Sequence, residues 1–266
     1  MKSLISFELI VGLILILLLV FIVIFGPLLT SHGPNDVHLE MKNQGPSGHH
    51  YLGTDHMGRC VFTRMVYGSR YSVGISLLTL TGTFVLSVLY GFLAGYTGGK
   101  LDVFLSGICD LAMAFPPMVI VLSLMGLFAT SIKGLIIAIM IASWPWYAKI
   151  IRSVVIVEKN KSYVTAALIS GSGHYKIIYK HILPNILNTI VVMYFTGISN
   201  MILMVSGFSY LGIGFSSEIP EWGAMLSSAK SYIFTRPELL MIPGFCIFVT
   251  SLGFNLIGES LRNGEG

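Results

Sequence analysis

Residues 161–185 read KSYVTAALISGSGHYKIIYKHILPN. In a chain that is otherwise largely apolar, this is the longest polar interruption among the C-terminal hydrophobic stretches. Its pattern predicts a short helix over 162–169, a glycine turn at Gly171 and Gly173, and a second helix over 174–182. Pro184 then restarts a membrane span, in the first turn of a helix where no amide donor is missed. Gly171 supplies the backbone freedom that a tight reversal needs. Tyr175, Ile178, Tyr179 and Ile182 fall at i, i+3, i+4 and i+7 and form an apolar stripe, with Lys176 and Lys180 on another face. Ala166 and Ala167 keep the first helix slim enough to enter a groove. A basic elbow hung between two membrane helices asks for a partner to dock on, although the same residues also read as an ordinary interfacial loop.

The surroundings of the elbow are bilayer-soluble. The chain is 54% hydrophobic and 11% charged, with a mean hydropathy of +0.81. A soluble domain carries about a quarter charged residues, so the composition is that of an integral membrane protein. The net charge is +4. The bases are spread along the chain and do not form a nucleic-acid patch, so lipid is an expected partner and nucleic acid is not. The three cysteines, Cys60, Cys109 and Cys246, are far apart and show no disulfide or zinc spacing. They read as small hydrophobes.

A spanning helix needs about 20 apolar residues, and six candidates emerge: 9–29, one within 71–99, one within 103–128, 135–148, 184–206 and 239–258. The first reads as an uncleaved span, since its apolar run is too long for a signal-peptide core and no small-residue cleavage site follows. Lys149 and Arg152 are expected to snorkel from the end of span four. Trp144, Trp146 and Tyr147 are expected to anchor that end at the interface, with substrate contact as the second reading. Residues 208–237 read as an external loop with a partly buried segment. From Val61 the alternation of apolar residues with Arg64 and Arg70 suits a helix lying at the interface before span two. With the N-terminus inside, nine of the 16 lysines and arginines fall inside and seven outside. Six of the nine lie in or beside the elbow, which is therefore the most firmly cytoplasmic piece. The expected fold is all-α and polytopic. Residues 1–70 form an N-terminal helix with an external loop, and residues 71–266 form a five-helix domain carrying a cytoplasmic loop at 154–183.

Catalysis is not expected. The chain has no Walker sequence, no GxSxG, no HExxH and no pair of carboxylates at helical spacing within a span. No cofactor and no resident metal are implied. Asp110 is the lone acid in an apolar span; it reads either as a cap or ion pair or as part of a transport path. Pro116 and Pro117 must break or kink span three, and the freed carbonyls are candidates to line the pathway. His49, His50 and His56 cluster outside and read first as solvated loop residues, with metal ligation as the second reading. The 13 methionines are scattered and read as packing.

The elbow resembles the EAA loop of ABC-importer permeases, in which EAA is followed by three residues, Gly, nine residues and IxLP. Ala166, Ala167, Gly171, Leu183 and Pro184 match at that spacing, while Thr165 stands at the Glu position and His181 at the Ile position. GTDHMGR at 53–59, Arg64, Gly68, LGIG at 211–214 and EWGAML at 221–226 resemble the C-type permeases of peptide/nickel importers. That family usually has Asp where this chain has Cys60. ASWPWYAKIIRS, SGSGH, EWGAMLSSAKSYIFTRP and GFNLIGESLR look closer to nickel permeases. The resemblance implies a type I importer fold in the cell membrane with both termini cytoplasmic. It implies a second, homologous permease subunit, one or two ATPase subunits docked through Thr165, Ala166, Ala167, Gly171, His174, His181, Leu183 and Pro184, and an extracytoplasmic substrate-binding protein. It also suggests that Ser206, Glu221 and Trp222 help form an outward gate, a re-entrant packing segment being the plainer reading. Nickel, or a nickel or cobalt chelate, is the implied cargo, with a dipeptide or oligopeptide as the alternative. A secondary transporter is disfavoured by the lack of an inverted repeat and of several intramembrane charges.

Overall fold

The computed structural model describes residues 7–127 and 131–263. The expected end of span three at Phe128 and the N-terminal Lys2 fall outside them. The described residues are helical, with one isolated β-bridge between Thr54 and Cys60 and no sheet among them. Their α-helices are α1 (Phe7–Phe25), α2 (Val61–Thr97), α3 (Gly99–Met113), α4 (Pro117–Leu127), α5 (Ile132–Lys159), α6 (Ser162–Ile169), α7 (His174–Ile177), α8 (Leu183–Tyr210), α9 (Trp222–Ala229) and α10 (Glu238–Asn263). Five helical segments are long and apolar enough to cross a membrane, and the pair α3 and α4, bent by 82° at the Ala114–Pro116 break, makes a sixth if taken together. The bend falls where Pro116 and Pro117 require it, because proline removes an amide donor and crowds the preceding turn.

Several expectations change. Residues 61–70 do not form a separate interfacial helix: α2 runs unbroken for 37 residues, about 55 Å at 1.5 Å per residue. Span four extends well past Ala148, so Trp144 and Tyr147 sit mid-helix; Tyr147 is buried, and Trp144 packs edge-on against Tyr90. Pro184 lies in the first turn of α8, as expected, but no break precedes it. α7 passes through a π-helical turn, Ile178–Ile182, straight into α8, with the Leu183 amide donating to the Ile178 carbonyl five residues back. The wider turn accommodates the proline just after it, where an α-turn would meet a steric clash. The fifth span ends at Tyr210, not near Gly207. Gly212, at φ +85°, closes it in a turn where the Gly212 amide bonds to Ser209 O (2.9 Å) and the Ile213 amide to Phe208 O (3.0 Å). That pair of bonds gives the LGIG stretch its helix-ending role.

The described residues fall into two compact units, 7–78 with 131–135 and 195–263, and 79–127 with 136–194. In the first, α1 lies along α10 through small residues: a Cβ on Gly12 would meet Ile257 Cγ1 at 3.0 Å, and one on Gly253 would meet Ile16 Cδ1 at 3.0 Å. Arg70 donates to Val23 O (2.6 Å) and Ile24 O (3.2 Å), supplying donors to carbonyls at the end of α1. Arg64, only 2% exposed, is no interfacial residue. It donates to Pro34 O (2.9 Å), Asn35 Oδ1 (3.0 Å) and Ser217 O (2.9 Å), and Arg59 donates to the same Ser217 O (2.9 Å) and to Asp55 Oδ2 (2.7 Å). A buried guanidinium is tolerated because its donors are matched. This network explains the GTDHMGR pattern, and Gly58 completes it: at φ +76° its Cβ would lie 1.8 Å from His38 O.

In the second unit, Ser87, Gly91 and Gly95 bring α2 against the backbone of α5. Ser87 Oγ donates to Trp144 O (2.9 Å), and Cβ atoms on Gly91 and Gly95 would meet Ala148 O at 2.4 Å and Arg152 O at 2.7 Å. Small residues four apart permit this approach where lipid supplies no hydrophobic drive. Lys149 and Arg152 do not merely snorkel. Arg152 grips Asp102 of α3 with two bonds of 2.5 and 2.6 Å, and Lys149 pairs with Asp110.

Candidate functional site

The elbow is built on a small core. Ile151 and Val155 of α5, Val164 of α6, Ile177 of α7, Ile182 of the π turn and Ile186 of α8 are all buried against one another, with Ala167 packed on them. Burial of each such side chain contributes roughly 1.5–3 kcal/mol. The buried stripe is therefore Ile177, Ile182 and Ile186; of the expected Tyr175, Ile178, Tyr179 and Ile182, only Ile182 belongs to it. A π turn inserts one residue, so positions five apart come to share a face. Tyr175 and Tyr179 point away, 77% and 62% exposed, and stack on each other with centroids 5.6 Å apart.

Gly171 adopts φ +79° and closes α6, its amide bonding to Leu168 O (3.0 Å) and the Ser172 amide to Ala167 O (3.0 Å). These two bonds make a Schellman motif. Space around Gly171 is open, so its constraint is the backbone angle and not crowding. Thr165, Ala166, Leu168 and Ile169 are exposed on this helix. Behind it lies a groove of ≈ 360 Å³ bounded by Tyr96, Lys159, Val164, Leu168, His174 and Ile177.

Polar bonds fix the frame. Tyr163 OH donates to Glu158 Oε1 and lies 3.2 Å from His181 O; Asn185 Nδ2 donates to Tyr163 OH (3.1 Å) and His181 O (2.6 Å). Glu158 is also held by Lys161 at 2.7 Å. Burial, and then the bond to Glu158, push the Tyr163 phenol up to about 12, so it remains a donor throughout the neutral range. On the other side, Tyr96 OH lies 2.7 Å from His174 Nδ1, and Lys159 Nζ donates to Tyr96 O (2.5 Å). Leu183 and Pro184 lie behind this frame at the start of α8. The structure thus gathers Thr165, Ala166, Ala167, Gly171, His174, His181, Leu183 and Pro184 on one elbow. Sequence reading misses Tyr163, Glu158, Asn185, Tyr96 and Lys159. The i, i+3 pair of Glu158 and Lys161 is a visible signal for one of them.

The second cluster surrounds Glu221, which is fully buried. Its Oε2 accepts from the Ala224 amide (2.8 Å), capping α9, and its Oε1 accepts from Ser72 Oγ (2.9 Å) and Ser206 Oγ (3.2 Å). The Trp222 amide donates to Ser72 Oγ (3.0 Å), and its indole Nε1 donates to Met65 O (3.1 Å). Close backbone approach is permitted by Gly223 and Gly68, whose Cβ atoms would meet Ser206 O at 2.3 Å and Pro220 O at 2.4 Å. Ser206, Glu221 and Trp222 therefore form one buried staple joining α2, α8 and α9, with Ser206 on α8 itself. Asp110, Pro116 and Pro117 belong to the other unit, all three exposed.

Of the three loop histidines, His49 is exposed, His56 stacks on Tyr232 (6.1 Å), and His50 is buried. The structure sets His50 beside His32, 18 positions earlier in the chain, with ring centroids 4.6 Å apart.

Residues 87–263 match the family described as binding-protein-dependent transport system inner membrane component, and residues 9–46 match the N-terminal TM domain of oligopeptide transport permease C. The chain is 38% identical to the dipeptide transport system permease protein DppC of Alkalihalophilus pseudofirmus, covering 96% of this chain and 84% of that protein. It is 33% identical to the nickel transport system permease protein NikC of Escherichia coli, covering 95% and 91%. It is 35% identical to the metal-staphylopine import system permease protein CntC of Staphylococcus aureus, covering 95% and 88%.

Proposed function

The chain belongs to the binding-protein-dependent transport inner membrane components, as a permease subunit of the peptide/nickel family of ABC importers, and on that premise we propose a role for each of its two clusters. Members of this family are non-catalytic, multi-pass inner-membrane subunits paired with a separate ATPase. The elbow is the joint to that ATPase. The observation that carries this reading is a rigid frame presenting unburied apolar groups: Leu168, Ile169, Tyr175 and Tyr179 are 42–84% exposed although the helices bearing them are pinned from within. A docked subunit covers that surface and inserts a side chain into the groove bounded by Leu168 and His174. Closure of the ATPases then pushes on residues 165–181 and rocks the spans between two discrete arrangements. A second, homologous permease subunit completes the pathway, and an extracytoplasmic binding protein delivers the cargo.

The staple of Ser206, Glu221 and Trp222 serves as a pivot near the outward gate, and the broken span at Pro116 and Pro117 lines the path. The cargo is nickel, or a nickel or cobalt chelate, a reading supported by similarity along nearly the whole chain to nickel and metal-staphylopine permeases. A dipeptide is the second reading, favoured by the 38% identity to a dipeptide permease. The deciding experiment reconstitutes the complex with its ATPase and binding protein in liposomes. It measures ATP-dependent uptake of labelled nickel with and without a chelator, against a labelled dipeptide. Uptake of dipeptide alone removes the metal reading; transport without any ATPase removes the importer mechanism.

A further inference from the structure

The buried histidine of the first loop has company that its sequence spacing conceals. One ring nitrogen each from His32 and His50 and the sulfur of Cys60 lie within 4.8 Å of one another. His50 is 6% exposed, and its Nδ1 is buried with no hydrogen-bond partner. Cys60 is buried and unpaired. His32 Nδ1 also lies 3.2 Å from Ser31 Oγ, and in the tautomer that donates there Nε2 is the acceptor left to ligate. Such a bond to the distal nitrogen commonly orients a metal-ligating imidazole.

We propose that His32, His50 and Cys60 bind one thiophilic transition-metal cation of the zinc class. Two imidazoles and a thiolate suit this class, and three protein ligands leave a fourth tetrahedral position for water or for a donor atom of a visiting molecule. With metal–nitrogen distances near 2.0–2.1 Å and metal–sulfur near 2.3 Å, the ligand atoms need to close by about an ångström, within reach of side-chain torsions. The backbone that carries two of the ligands is already tied together. The Ser47 and Gly53 amides both bond to His50 O (2.9 and 2.8 Å), the Val61 amide bonds to Gly53 O (3.0 Å), and Thr54 bridges to Cys60. The cation fills the place of the partner that His50 Nδ1 lacks. It also pins the segment after α1 to the loop that leads into α2.

This site is separate from the elbow and from the choice of cargo: it holds equally for a permease that imports dipeptides. The test uses the full chain in its assembled complex, without cargo, stripped with a chelator and re-equilibrated with Zn²⁺ or Co²⁺. The expected result is one tightly held equivalent per chain by elemental analysis, and a thiolate-to-cobalt charge-transfer band. Cys60→Ser abolishes the band, and both Cys60→Ser and His50→Gln weaken metal retention by roughly tenfold or more, at least the loss that disturbing even a supporting group produces. Absence of the band in the wild type, or equal metal retention in all three proteins, overturns the proposal. Cys109→Ser and Cys246→Ser in the same complex keep the band if Cys60 is its source, and loss of the band in either overturns the proposal.

Discussion

Gly91 of α2 lies so close to Ala148 of α5 that a Cβ on the glycine would stand 2.4 Å from the alanine carbonyl oxygen. The contact is backbone on backbone, so no rotamer change can relieve an added methyl. We expect Gly91→Ala to lower stability by roughly 1–3 kcal/mol. Gly107, on the exposed face of α3 with nothing within 4 Å of its would-be Cβ, provides the contrast. Gly107→Ala should be neutral or stabilising by up to about 1 kcal/mol. Thermal melting of the two purified variants checks the pair.

Glu221 accepts from two serines and one amide at a fully buried position. Glu221→Ala strands all three donors and removes a helix cap, at a cost of roughly 3 kcal/mol or more. Glu221→Gln retains the volume but turns its amide group toward a donor, and should fall between the alanine variant and wild type. Denaturation midpoints in detergent should rank wild type, Gln, Ala. A Gln variant equal to wild type would argue against the staple.

Gly171 and Thr165 separate shape from chemistry at the elbow. At φ +79°, Gly171→Val strains the turn by about 1–3 kcal/mol and reshapes the end of α6. We expect ATP hydrolysis to lose its stimulation by the loaded binding protein. Thr165 is exposed in α6, and Thr165→Glu should leave coupling intact. The opposite pattern in a coupled ATPase assay would show a joint governed by side-chain chemistry.

Tyr163→Phe removes the hydroxyl that contacts Glu158, His181 O and Asn185. The carboxylate keeps Lys161, so the expected loss is moderate, about 1–2 kcal/mol. The sign with pH follows from the raised phenol: the folded state holds this proton more tightly than the unfolded chain. Its contribution is complete below the ordinary tyrosine value near 10 and fades as pH rises through about 12. The stability gap between wild type and the phenylalanine variant should therefore be flat from about pH 6 to 9, as measured by melting across that range.

The fold is legible where the signal is length and composition. Spans near 9–29 and 239–258 emerge within a few residues because uninterrupted apolar runs leave little choice in a bilayer. Gly171 is legible because a left-handed turn restricts the residue type that can occupy it. The face of the second elbow helix is not, since a 3.6-residue period holds only while the helix stays α, and the π turn before Pro184 shifts the stripe to Ile177, Ile182 and Ile186. Arg64 looks interfacial in the sequence for a related reason. Its matching carbonyls, from Pro34 and Ser217, are remote in the chain, and no local pattern announces them. The Ser87–Gly91–Gly95 spacing is a readable signal of close helix packing.

The turn at Gly171 is held by amides bonding to the carbonyls of Leu168 and Ala167, so the shape of the proposed joint is written in main-chain atoms. Side chains on its outer face, Thr165, Ala166, Leu168 and Ile169 among them, hold none of that shape in place. Substitutions on that face therefore leave the backbone of the turn as it is, and a partner that reads its shape meets the same main-chain surface.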